Sequence, residues 1–100
     1  MERDIEIIVS QFRNEASKLF LAIVEDFERH AKKLDRQWDE NVFRHMQGRF
    51  VQELKKQLTY IAEKTISQYQ GDMGINILRR DLTAQIEYYI GELLLKIRSM

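Results

Sequence analysis

The order of apolar and polar positions divides the chain into three stretches of helical periodicity. In the first, Ile5, Ile8, Phe12, Ala16, Leu19, Ile23, Phe27, Ala31, Leu34 and Trp38 recur every three or four residues, the interval at which side chains return to one side of a helix. In the second, Phe43, Met46, Phe50, Leu54, Leu58, Ile61 and Thr65 keep that interval, and Val42, Val51, Ala62, Ile66 and Tyr69 widen the apolar face. Arg44, Gln52, Lys55, Lys56, Thr59 and Glu63 occupy much of the remainder. The third stripe is Leu78, Leu82, Ile86, Tyr89, Leu93 and Ile97. The pattern predicts helices over residues 3–36, 40–69 and 75–98.

The punctuation agrees with an all-α chain. Proline is absent, and the glycines are Gly48, Gly71, Gly74 and Gly91, so the turn signals of a β-rich protein are missing. Gln70-Gly71-Asp72-Met73-Gly74 is the clear break, with Gly71 suited to the position after a helix end. Residues 35–41 are more ambiguous, since they hold candidate caps in Asp39 and Asn41 but neither glycine nor proline. Leu34, Trp38, Val42 and Met46 keep helical phase across them, which leaves a competing arrangement. In it one helix runs from residue 3 to residue 69, roughly 100 Å at 1.5 Å per residue, and a shorter last helix packs on it in an intertwined dimer. A turn is preferred, because an unbroken helix of that length is unusual outside a coiled coil. The expected fold is one domain, residues 1–100, of three long antiparallel helices in an up-down-up bundle.

Two helices carry more apolar surface than one bundle face needs. Leu19-Phe20-Leu21-Ala22-Ile23-Val24 is an unbroken apolar run, and successive helical residues are about 100° apart, so the run goes round the whole circumference. Leu19 and Ile23 belong to the expected core stripe. Leu21 falls among Asn14, Ser17, Lys18, Glu25 and Glu28, on the polar side. In the last helix Ala84, Tyr88, Gly91 and Leu95 form a second stripe roughly opposite Leu82, Ile86 and Leu93. Gly91 in mid-helix costs about 1 kcal/mol relative to alanine, which close approach of another backbone offsets. Counting along the helices, Leu21 stands roughly 27 Å and Leu95 roughly 29 Å above their helix starts, so the two surplus patches are expected to be level. Phe20, Leu21, Val24, Ala84, Tyr88, Gly91 and Leu95 are therefore the candidate protein interface, and self-pairing of that surface gives a symmetric dimer.

Composition narrows the function classes. Acidic and basic residues number 16 each, for a formal charge of zero, and charged residues make up 32% of the chain, which suits solvated helix faces rather than a basic nucleic-acid binder. Glu25 before Arg29, Glu28 before Lys32, Glu40 before Arg44 and Glu92 before Lys96 are four-apart acid–base pairs that add about 0.3 kcal/mol each to a helix. The absence of cysteine removes disulfides, thiolate metal sites and cysteine nucleophiles. Met1-Glu2-Arg3-Asp4 lacks the basic start and apolar core of a signal peptide, and no run approaches the roughly 18 apolar residues of a membrane span. A cytoplasmic protein is expected.

Candidate chemistry is sparse. His30 and His45 are the imidazoles, and the residues three before them are Phe27 and Val42, so the Glu-x-x-His metal motif of helical bundles is missing. Trp38, Tyr60, Tyr69, Tyr88 and Tyr89 are candidates for a small-molecule cleft, but aromatics at helical spacing more often serve as core or interface anchors. The serines have no nucleophile-elbow context, and the glycines form no phosphate-cradling loop. Arg29, Lys32, Lys33 and Arg36 cluster at the end of the first helix, where cations complement the helix dipole, with Arg79 and Arg80 as a second small group. These are the candidate phosphate contacts of an alternative reading, a dimeric nucleic-acid-associated regulator. The preferred reading is a non-enzymatic interaction or scaffold module, without cofactor, metal or small-molecule substrate, whose partner is a second copy of itself or another helical protein.

Overall fold

A computed structural model of the protein describes residues 2–34, 39–69 and 74–99. Three helices account for almost all of them: α1 over Glu2–Ala31, α2 over Glu40–Gln68 and α3 over Ile75–Ser99. All three pairs of helices pack against one another. The path is up, down, up. Near one end Ile5 of α1 lies beside Gly74 at the start of α3, and farther along Ser17 of α1 meets Tyr89 of α3, so these two helices run in parallel. Phe27 near the end of α1 meets Phe43 near the start of α2, which fixes α2 as antiparallel.

The first helix stops five residues earlier than its periodicity predicts, and the unbroken 3–69 helix is ruled out. After Ala31 the Lys33 amide bonds the His30 carbonyl at 3.2 Å and the Leu34 amide the Ala31 carbonyl at 3.1 Å, a tightening to three-residue turns that closes many helix ends. Trp38 and Arg36 lie outside the described residues, as do Gly71 and the rest of 70–73. Asp39 takes the N-cap position of α2, where its carbonyl accepts the Phe43 amide at 2.9 Å, but its side chain makes no capping hydrogen bond. Asn41 is inside the helix. Of the expected acid–base pairs, Glu40 and Arg44 close to 2.9 Å.

The core forms along the predicted stripes. Ile5, Phe12, Ala16, Ile23 and Phe27 of α1, Phe43, Leu54, Leu58, Ala62 and Ile66 of α2, and Leu78, Leu82, Tyr89, Leu93 and Ile97 of α3 are buried. Phe27 is the hub at one end, with its ring edge-on to Phe43 at 5.6 Å and to Phe50 at 5.3 Å. Such pairs favour the contact of a ring's edge with another's face. Among the described residues no polar or charged residue is buried, so the core is held by apolar packing. One polar tie crosses it at the margin: the Ser17 and Tyr89 hydroxyls lie 2.7 Å apart, and Tyr89 donates to the Arg13 carbonyl at 3.3 Å. With the tyrosine proton so engaged, Ser17 donates to the Tyr89 oxygen, and both hydroxyls are satisfied.

Candidate functional site

The surplus apolar residues separate into two groups once the helices are packed. Leu21, Tyr88 and Leu95 are 57%, 57% and 59% exposed, and Ala84 and Gly91 are exposed beside them. Phe20 and Val24, expected on the interface, are instead 8% and 6% exposed and belong to the core. The reason is the position of α3, which docks on the flank of α1 that carries Ser17, Phe20 and Val24: the Phe20 ring packs against Tyr89 at 5.6 Å. A second helix of the same chain covers those side chains, so they are not surface.

Leu21 and Leu95 are also not level. Tyr89 meets both Ser17 and Phe20, so residue 89 stands opposite the turn holding 17–20, and Leu95 lies about 5 Å, one turn, beyond Leu21. The offset arises because α3 starts opposite Ile5 rather than opposite the first residue of α1.

What remains on α3 is an outward stripe. Ile77, Ala84, Tyr88, Gly91 and Leu95 are exposed, at steps of seven, four, three and four, while the buried Leu78, Leu82, Tyr89, Leu93 and Ile97 occupy the inward side. The alternation of three and four is a heptad seam, in which apolar positions repeat every 3.5 residues. Asp81 and Arg98 fill its two remaining positions between Ile77 and the helix end. An added Cβ at Gly91 meets nothing within 4 Å, so no packing within the protomer requires the glycine. The ring of Tyr88 lies 5.4 Å from that of Tyr89, which makes a short ladder of rings from the outer face to Phe20.

The basic cluster lies at the other end of α1. Arg29, Lys32 and Lys33 are exposed, and Arg36 lies outside the described residues. Arg79 is drawn to Glu63 at 3.7 Å and Arg80 to Asp81 at 3.6 Å, so the second basic group has carboxylate neighbours. Beside the cluster a groove of about 650 Å³ opens between the end of α1 and the start of α2. Leu34, Val42, Met46 and Phe50 supply its apolar walls, and His30, Lys33, His45, Arg49, Asp26 and Glu53 its polar ones. The sequence reading missed this groove. Its signal was the repeated spacing of His30, Lys33 and Leu34 in Val42, His45 and Met46 on the other side of the turn.

His30 donates no metal geometry. Its Nδ1 lies 2.8 Å from the Asp26 carbonyl, four residues back, and its ring packs against Phe50 at 5.8 Å. Among the described residues no three His, Asp or Glu side chains gather to hold a metal ion, and no helix is long and apolar enough to cross a membrane. Among the described residues the candidate tyrosines do not converge on a cleft: Tyr89 is buried, Tyr88 is on the outer face of α3, and Tyr60 is exposed on α2. Tyr69 lies at the α3 entrance beside Gly74. No protein-family model matches the chain, and neither a curated protein nor a solved structure matches it.

Proposed function

We propose that this protein is a non-enzymatic interaction module of the cytoplasm that associates with a second copy of itself through an apolar helical surface. The observation that carries the reading is the heptad stripe of Ile77, Ala84, Tyr88, Gly91 and Leu95 on the solvent side of a helix whose opposite side is already fully used by the core. A heptad seam of this regularity is what one coiled-coil helix offers another.

Light scattering over a concentration series tests the proposal. The wild-type chain is expected to approach twice its 12.1 kDa mass as concentration rises through the micromolar range. Leu95→Glu, at a residue that contributes little to the core, is expected to hold the monomer mass with its helical circular dichroism intact. A wild-type mass that stays at the monomer value up to hundreds of micromolar removes self-association.

A further inference from the structure

From Asp81 to Arg98 the stripe on α3 is self-complementary in one direction only. We infer that two copies pair through α3 in antiparallel orientation, about a twofold axis that crosses the helix halfway between Ala84 and Leu95, at the level of Tyr89 and Ile90. The inference rests on the self-association proposed above and adds to it the element, the direction and the register.

Size sets the register. In an antiparallel helix pair each seam position of one chain faces the other kind of seam position in its partner. Placing Ala84 opposite the partner's Leu95 sets Tyr88 opposite the partner's Gly91, and the twofold axis repeats both contacts. Each large side chain then meets a small one. Tyr88 is more than half exposed, and the space around Gly91 is open to 4 Å, so the ring of one chain has room on the backbone of the other. In parallel orientation Tyr88 would face the partner's Tyr88 and Gly91 the partner's Gly91, which crowds one layer and leaves the next empty.

Charge gives the same answer independently. The register that pairs Ala84 with the partner's Leu95 also brings Asp81 opposite the partner's Arg98, and Arg98 opposite the partner's Asp81. A parallel pair would set Asp81 against the partner's Asp81 and Arg98 against the partner's Arg98. At the flanks, the antiparallel register brings Gln85 near the partner's Glu92 and Glu87 near the partner's Leu94, with no like charges directly opposed. The seam from Asp81 to Arg98 is about 26 Å long at 1.5 Å per residue, short for a stable interface, so a reversible dimer of micromolar affinity is expected.

Charge reversal and cross-linking test the direction. Asp81→Arg alone is expected to weaken the dimer at least tenfold in sedimentation equilibrium, and adding Arg98→Asp in the same chain is expected to restore it to near wild type. Because the chain has no cysteine, introduced thiols report position without interference. A mixture of Ala84→Cys and Leu95→Cys chains is expected to cross-link on mild oxidation, whereas Ala84→Cys alone is not, since the two copies of residue 84 lie about 16 Å apart along the axis. Gly91→Leu, at an exposed position where an added Cβ meets nothing within 4 Å, is expected to abolish the dimer while the monomer melts no lower than wild type. A dimer that cross-links through Ala84→Cys alone, or that ignores the charge reversal, overturns the antiparallel pairing but leaves self-association standing. A wild-type chain that never exceeds monomer mass overturns both.

Discussion

Gly74 shows how much one residue can decide at the entrance to a helix. Its φ of 104° lies in the left-handed region, where a Cβ is strained. A Cβ placed there would come within 2.9 Å of Ile5 Cδ1 and 3.3 Å of the Tyr69 hydroxyl. The same residue's carbonyl accepts the Leu78 amide at 2.9 Å and so starts α3. Gly74→Ala is therefore expected to destabilise the fold by about 1–3 kcal/mol, from backbone strain plus displacement of Ile5. Urea denaturation measures this; an unchanged midpoint would mean that the entrance to α3 readjusts freely. The sequence marked this pentapeptide as a loop because two glycines sit close together, but it did not single out Gly74 over Gly71. That the entrance to α3 falls at Gly74 depends on where Ile5 lies, a contact between residues far apart in sequence. Phe20 and Val24 were misplaced for the same kind of reason: periodicity finds the stripe that faces a core, but not the flank on which another helix settles.

At the scale of the helix, the two mid-helix glycines make a controlled pair. Gly48 of α2 is exposed, and an added Cβ meets nothing within 4 Å, as at Gly91 of α3. Gly48→Ala is expected to stabilise the protein by about 1 kcal/mol through helix propensity alone, which for a domain of this size raises Tm by roughly 4–8 °C. Calorimetry on the variant checks it, and a lowered Tm would show that α2 needs its glycine for a contact no neighbour in the protomer supplies. The outward seam of α3 was legible in the sequence as a second stripe because Ala84, Tyr88, Gly91 and Leu95 fall between the inward positions. Ile77, which extends the seam by a full heptad, was overlooked, since an isolated isoleucine seven residues before the stripe looks like an ordinary exposed residue. The groove between His30 and His45 was harder to find, because it depends on where α1 ends. Helical phase continues past Ala31 through Leu34, and only the short turns after His30 end the helix there.

For the molecule as a whole, the narrow cross-section limits what a single copy can bury. The bundle measures 54 × 18 × 17 Å, so each helix has one side on the core and a broad side in water. A chain of 100 residues in this shape has a modest margin of stability, and association by mass action would add to it. The Tm is accordingly expected to climb with protein concentration across the micromolar range in the wild type and to stay level in Leu95→Glu. A concentration-independent Tm in the wild type would argue that the outer face of α3 stays in water.

The rod shape has one further result. A body three times longer than it is wide, 54 Å against 18 Å, meets more friction in solution than a sphere of the same mass. It diffuses slowly and leaves a sizing column early, in the place of a larger compact protein. An antiparallel pair joined side by side along α3 would double the mass while adding little to the length, and so would move closer to spherical proportions. Monomer and dimer should thus elute somewhat closer together than their masses alone imply, and their frictional ratios should differ in the opposite sense to their masses.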